Sequence, residues 1–248
     1  MLPSSLRSSR TIALTSGVAA AMLMLSACTD DGQPESASSP SASSPADGAV
    51  STGAIDCAPA PAIPTDVPTF RATQAPPATA PDAATVRMVT NCGPITFELN
   101  GAAAPQSVAS FLLLGEGDFW SDSPCHRLVD GGIYVLQCGD PTGTGRGGPG
   151  YTFGIENAPA DGFYPRGSIA MARTNDPDSN GSQYFIVFAD TMLPTDGGGY
   201  SIIGTVTDGM DIVDYIAAAG VDGGGVEGMP AQPISILDVE LEEEAASS

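Results

Sequence analysis

The chain has 248 residues, with 29 acidic residues against 8 arginines, no lysine, and a formal net charge of −21. That length holds one sizeable domain with extensions. The charge keeps the chain soluble and repels nucleic acid and anionic membrane surfaces, and the missing lysine excludes a lysine-dependent phosphate loop.

Residues 1–27 have the organisation of an export signal. Arg7 and Arg10 form a positive start, and Gly17 to Leu25 is an apolar stretch. It is shorter than the roughly 20 residues that span a bilayer. Leu25-Ser26-Ala27-Cys28 then resembles the lipobox of bacterial lipoproteins. The expectation is a lipoprotein signal peptide over 1–27 and a lipid on Cys28. The domain would then be exported and lipid-anchored to the outer face of the bacterial cell membrane. Residues 28–82 follow as a tether. From residue 29 onward they hold ten prolines among Ser, Ala and Thr. Such a segment buries too little apolar surface to offset its ordering entropy, and is expected to be disordered.

From about Ala83 the pattern becomes that of a folded domain, expected over 83–242, with 243–248 as a tail. Thr85 to Thr90 and Ile95 to Leu99 read as strands around a turn at Asn91-Cys92-Gly93-Pro94. Ala104 to Leu114 reads as a helix, with Pro105 in its first turn and Val108, Phe111 and Leu112 on its apolar face. Cys125 to Val129 and Ile133 to Cys138 are strands around Asp130-Gly131-Gly132, a hairpin turn. Residues 139–167 are rich in Gly and Pro and read as a long surface loop. Ser168 to Ala172, Tyr184 to Phe188 and Tyr200 to Thr207 are further strands. Asp211 to Ala219 is a second helix, and Ile234 to Leu241 a last strand with a phase break near Leu237-Asp238. Roughly eight strands and two helices predict a mainly β fold, a closed antiparallel β-barrel capped by the helices.

Apart from Cys28, four cysteines remain: Cys57, Cys92, Cys125 and Cys138. In an oxidising compartment an even count points to disulfides, with three possible connectivities. Cys125 and Cys138 flank the hairpin and could face each other, which would leave Cys57 with Cys92. No Cys-x-x-Cys pair exists and His126 is the single histidine, so no metal is expected.

Residues 180–188 read Asn-Gly-Ser-Gln-Tyr-Phe-Ile-Val-Phe. In a strand, Gln183, Phe185 and Val187 share one face, and Tyr184, Ile186 and Phe188 the other. The second set reads as core. The first pairs an amide with a bare ring, which suits a groove holding peptide backbone and an apolar side chain together.

This block closely resembles the signature of cyclophilin-type peptidyl-prolyl isomerases. Two others follow the same pattern. One is Cys125-His126-Arg127-Leu128-Val129 with Tyr134-Val135-Leu136-Gln137-Cys138-Gly139-Asp140, and the other is Ser168-Ile169-Ala170-Met171-Ala172. Tyr200-Ser201-Ile202-Ile203-Gly204 completes the series. The resemblance covers about residues 84 to 241 and implies an eight-stranded barrel and a peptidyl-prolyl cis-trans isomerase. Its substrates would be unfolded or exported proline-containing polypeptides, with no cofactor, no nucleic acid, and a monomeric enzyme.

The reaction suits these residue types. An X-Pro bond rotates slowly because amide resonance must be broken, at a barrier of about 20 kcal/mol. No bond is made or cut, so the enzyme needs only to favour the twisted state. In that state the proline nitrogen accepts a hydrogen bond, and a fixed, permanently charged guanidinium is a good donor. The resemblance assigns that part to Arg127, with Gln137 orienting it across the hairpin. It assigns substrate contacts to Tyr134, Val135, Gly145, Ala172, Arg173, Thr174, Gln183, Phe185, Met192, Leu193 and Tyr200. Three positions depart from the family's habit: Met192 stands for a tryptophan, Tyr200 for a histidine and Arg173 for an asparagine. The first argues against tight binding of cyclosporin.

Other motifs carry less. Gly143-Thr144-Gly145-Arg146-Gly147-Gly148 fits a dinucleotide pattern, but Pro149 and Gly150 follow at once and leave no helix N-terminus for a phosphate. No Gly-x-Ser-x-Gly elbow accompanies His126, which reads as a packed strand residue. Two other readings remain open: a catalytically weak proline-peptide-binding module or chaperone on the cell envelope, and a structural envelope protein.

Overall fold

The computed structural model describes residues 54–71 and 75–242. The expectations for the signal segment, Cys28, the first part of the tether and the tail fall outside them.

The domain opens with a hairpin, β1 (Ala83–Thr90) and β2 (Gly93–Asn100), paired in register from Ala83 opposite Asn100 to Thr90 opposite Gly93. Helix α1 (Pro105–Glu116) follows, with proline at a first-turn position where a missing N–H costs nothing. Its cap residue is Ala104, which offers no side-chain acceptor. Glu156 supplies one instead. Its carboxylate accepts from the Gln106 and Ser107 amides at 2.9 and 2.8 Å and from the Ser107 hydroxyl at 2.6 Å. A negative charge at a helix N-terminus is favourable.

The chain then forms β3 (Ser123–Pro124), β4 (Arg127–Gly131) and β5 (Ile133–Cys138). After a long excursion come β6 (Phe163–Tyr164), β7 (Ser168–Met171), β8 (Tyr184–Val187) and β9 (Thr191–Met192). The chain ends with β10 (Ile202–Asp208), α2 (Met210–Ala219), β11 (Glu227–Gly228) and β12 (Ser235–Glu242).

One antiparallel sheet of ten strands runs in the order β11-β4-β5-β8-β7-β10-β2-β1-β12-β3, and β6 pairs with β9 apart from it. The fold is mainly β with two helices, as expected, but it is not an evenly closed eight-stranded barrel. The expected Cys125 to Val129 strand bends, and its two parts serve opposite ends of a curled sheet. The Cys125 amide donates to Ile234 at one end, and the His126 amide to Gln137 at the other. Short β11 adds to the free edge of β4. The expected phase break near Leu237 is a bulge: Val89 faces Asp238 while Thr90 faces Ile236.

Inside the curl lies the main core. Val86, Met88, Phe97 and Leu99 meet Leu128, Leu136, Tyr184, Ile186 and Trp120, all buried. The α1 residues Val108, Phe111 and Leu114 and the α2 residues Ile212, Val213 and Ile216 cover it. A second, smaller cluster gathers Val129, Val135, Tyr164, Ala170, Phe185, Val187 and Leu193 on the opposite face of the sheet.

Two stretches differ from their expected character. Residues 54–71, read as tether, run along the domain without regular secondary structure. Cys57 is bonded to Cys92, the Ala58 amide donates to Asn91, and the Phe70 amide donates to Pro149. The Phe70 ring sits 6.1 Å from Phe119 and 6.3 Å from Tyr151. A proline-rich segment too poor in apolar residues to fold alone is held by a covalent bond and one aromatic anchor. Residues 139–167 are not merely surface either, since Asp140, Tyr151, Phe153 and Tyr164 are buried there. The second disulfide joins Cys125 to Cys138 across the hairpin.

Candidate active site

Register brings the central residues together. Arg127 on β4 faces Gln137 on β5, Gln137 faces Phe185 on β8, and Phe185 faces Ala170 on β7. Neighbouring strands lie about 4.8 Å apart, so the Arg127 and Phe185 backbones stand about 10 Å apart. That gap suits one small ring. Alternation aims Arg127, Gln137 and Phe185 to the same face, away from the main core.

A cavity opens there, lined by His126, Arg127, Ile133, Val135, Gln137, Gly145, Ala172, Arg173, Phe185, Leu193, Pro194, Tyr200, Glu227 and Met229 among others. Phe185 is only 5% exposed, so it is the floor of the cavity and part of the second cluster rather than a bare surface ring. The Tyr200 ring meets Phe185 at 5.7 Å edge-on, and the Arg173 guanidinium covers Tyr200 at 4.9 Å. Arg173 is held by the carbonyls of Gly199, Thr174 and Asp196.

A second cavity adjoins the first at Gln137, Gly145, Ala172 and Arg173. Thr174, Gln183 and the Arg146 to Thr152 segment line it. Together they form a groove across the sheet, with Gln137 between the two halves.

A directional chain of hydrogen bonds fixes that junction. Arg127 Nη1 donates to Gln137 Oε1 at 3.0 Å, Gln137 Nε2 to Gln183 Oε1 at 2.9 Å, and Gln183 Nε2 to the Gly147 carbonyl at 2.9 Å. A guanidinium only donates, so the oxygen of Gln137 must face it, and every later amide orientation follows.

Gly147 belongs to the glycine run that resembled a nucleotide loop. Its actual occupant is the buried Asp140 carboxylate, which accepts from the Thr142 amide and hydroxyl, the Thr144 hydroxyl and the Gly147 amide. A Cβ on Gly147 would lie 2.0 Å from that carboxylate, so only glycine fits. Burial pushes the Asp140 pKa up, but the hydrogen bonds from Thr142 and Gly147 win and hold it below the usual carboxylate range. His126 lies beneath the same loop, within ordinary contact distance of Gly145, whose φ of +74° favours glycine there. Burial pushes the His126 pKa down, against the nearby Asp140 charge, so the ring is neutral at pH 7.

Nine of the expected site residues line the first cavity: Arg127, Val135, Gln137, Gly145, Ala172, Arg173, Phe185, Leu193 and Tyr200. Thr174 and Gln183 line only the second. Two do neither. Tyr134 points to the opposite face of β5, where its ring meets Phe188 at 5.8 Å against the main core. Ile133 and Val135 take the cavity side, as strand alternation requires. Met192 pairs with Phe163 on the small sheet and is 57% exposed, while its neighbour Leu193 turns inward. Ile133, Pro194, Glu227 and Met229 were not among the expected site residues, and His126, read as a packed strand residue, lines the cavity as well. Alternation along β5 would have found Ile133, whereas nothing local marks Glu227. Among the described residues no cluster of His, Cys, Asp or Glu could hold a metal, and no helix is long and apolar enough to cross a membrane.

Known proteins resemble this chain in sequence and fold. The profile of the family described as "Cyclophilin type peptidyl-prolyl cis-trans isomerase/CLD" matches residues 85–241. The "Probable peptidyl-prolyl cis-trans isomerase B" of Mycobacterium tuberculosis is 42% identical over 178 residues, covering 66% of this chain and 56% of its own. Its Mycobacterium leprae namesake is 39% identical, covering 66% and 59%. The chain thus spans little more than half the length of these relatives. A crystal structure of a Cryptosporidium parvum cyclophilin type peptidyl-prolyl cis-trans isomerase is 30% identical, with a TM-score of 0.56, covering 65% of this chain and 99% of that one. A second structure of that protein, in the presence of the dipeptide ala-pro, is 31% identical with a TM-score of 0.55, covering 64% and 99%.

Proposed function

The chain belongs to the cyclophilin-type peptidyl-prolyl cis-trans isomerase family, and from that premise we propose that it accelerates rotation about X-Pro bonds in exported polypeptides. The observation that carries this reading is the row Arg127, Gln137, Phe185 across three adjacent strands.

The proline ring rests on Phe185, Leu193 and Val135 in the apolar half of the groove. Backbone on the far side of the X-Pro bond runs past Ala172, Arg173 and Gln183 into the second half. As the amide twists, its nitrogen loses conjugation and regains a lone pair. The Arg127 guanidinium, held by Gln137, donates to that nitrogen. The donation is strong only in the twisted state, so it lowers the barrier rather than merely tightening binding. No covalent intermediate forms.

The test is a proline-isomerisation assay on the purified full chain. Arg127→Ala is expected to lower kcat/KM about hundredfold, the usual loss for removing one transition-state donor. Near wild-type activity in that variant would sink the mechanism. A binder without turnover would instead show peptide-induced NMR shifts without accelerated cis-trans exchange.

We also propose export and lipid attachment at Cys28, from the charged start, the short apolar stretch and the Leu-Ser-Ala-Cys sequence. Two disulfides support an oxidising compartment. Metabolic palmitate labelling that is lost in Cys28→Ala tests the anchor, and labelling retained in that variant would refute it.

A further inference from the structure

The loop after α2 brings a carboxylate to the arginine. Gly223, Gly224 and Gly225 take positive φ values of 72°, 83° and 102°, turning the chain back towards β4. The returning segment is fastened at several points. The Asp130 amide donates to the Val226 carbonyl at 2.8 Å, and the Asp222 amide to Met229 at 2.8 Å. The Val226 side chain lies over Gly131, where any Cβ would come within 2.7 Å of it. Glu227 then pairs with Val129 on the edge of β4.

From there Glu227 Oε1 accepts from Arg127 Nε at 2.8 Å, while Gln137 accepts from Nη1. These are two different edges of one flat group, so together they fix its plane as well as its position. No protein acceptor meets Nη2 among the described residues, and both Arg127 and Glu227 line the proline cavity. The two side chains are 34% and 56% exposed. An ion pair that wet contributes little to stability, so stability does not account for so well fastened a loop.

We infer that Glu227 is a positioning residue: it clamps the Nε edge of Arg127 and presents the Nη2 edge to the twisted prolyl nitrogen. This rests on the isomerase reading given above. Because the clamp acts on guanidinium orientation, its loss falls on kcat more than on KM.

The test uses the full chain and X-Pro peptides. Glu227→Ala is expected to lower kcat about fivefold with KM moving less than about twofold, and Glu227→Gln, which keeps an acceptor oxygen, to recover most of the loss. Arg127→Lys has no Nε, so adding Glu227→Ala to it should cost less than about twofold. A merely structural role would cost the same in both backgrounds. An unchanged kcat in Glu227→Ala, or the full loss persisting beside Arg127→Lys, overturns the inference. A second measurement is independent of turnover: the Arg127 Nε–H resonance, assigned by its absence in Arg127→Lys, should exchange with water faster in Glu227→Ala. Unchanged exchange overturns the clamp. A wild-type chain without isomerase activity would refute the proposed function instead, and the exchange measurement would still decide whether Glu227 holds Arg127.

Discussion

Replacing Gln137 by glutamate changes one donor into an acceptor and nearly nothing else. The carboxylate still accepts from Arg127 Nη1, and gains charge assistance. Its other oxygen now faces Gln183 Oε1, where an amide N–H donated at 2.9 Å. Gln183 can flip to donate to it, but then its own oxygen faces the Gly147 carbonyl, which accepted from it at 2.9 Å. Either way one hydrogen bond of the chain is replaced by two facing acceptors. A net hydrogen bond is worth about 1 kcal/mol, and the unmatched pair, half open to water, adds about half as much again, so about 1.5 kcal/mol is at stake. If it falls on the transition state, kcat/KM drops about tenfold. Gln137 is only half-buried, so water relieves part of the stability cost. For a domain of this size about 1 kcal/mol shifts Tm by roughly 2–4 °C. The assay is peptide isomerisation alongside thermal unfolding. Wild-type kcat/KM in Gln137→Glu would refute the directional chain, since the arginine contact alone is preserved or strengthened there.

Three further outcomes follow from the packing and the charges. Gly139 has φ +91° and its Cβ would fall 2.3 Å from the Ser182 carbonyl, so Gly139→Ala should destabilise the domain by about 3 kcal/mol, read by denaturant unfolding. His126 titrates in the folded state below the ordinary histidine value of about 6.5, so the unfolded chain binds more protons as the pH falls below that value. Stability should therefore fall with pH from about 6.5, and His126→Gln should flatten that part of the Tm–pH curve; an identical curve would remove His126 from the account. The opposite group, Asp140, has a lowered pKa, so its contribution is intact above about 3.8 and lost only as the pH falls through its folded value. Replacing Cys57 and Cys92 by serine opens a closed loop of 35 residues, worth about 4 kcal/mol of chain entropy in the simple model, and the loss should appear in unfolding midpoints.

The legible parts of the fold were those written in short-range pattern. The alternation of 184 to 188 predicted both faces of β8, because a strand's side-chain period is local and one face meets a packed core. The Asp130-Gly131-Gly132 turn predicted the hairpin, and the hairpin put Arg127 opposite Gln137 and Cys125 beside Cys138. Tyr134 shows the cost of setting that rule aside: the resemblance assigned it to the groove, but alternation with Val135 sends it to the core.

Local pattern thus sufficed for the longer strands, for the faces of β8 and the hairpin, and for the family, while the short strands β3, β6, β9 and β11 left no such mark. Tertiary structure alone decided three things. The bend at Cys125-His126 shares one segment between both ends of the sheet. The proline-rich 54–71 segment lies on the domain because Phe70 finds Phe119 and Tyr151. Glu227, 100 residues after Arg127, reaches its Nε edge through a loop whose landing point is set by Gly131. Each depends on a contact between distant parts of the chain, where neither spacing nor periodicity carries information, and only the closed packing of the domain determines which groups meet.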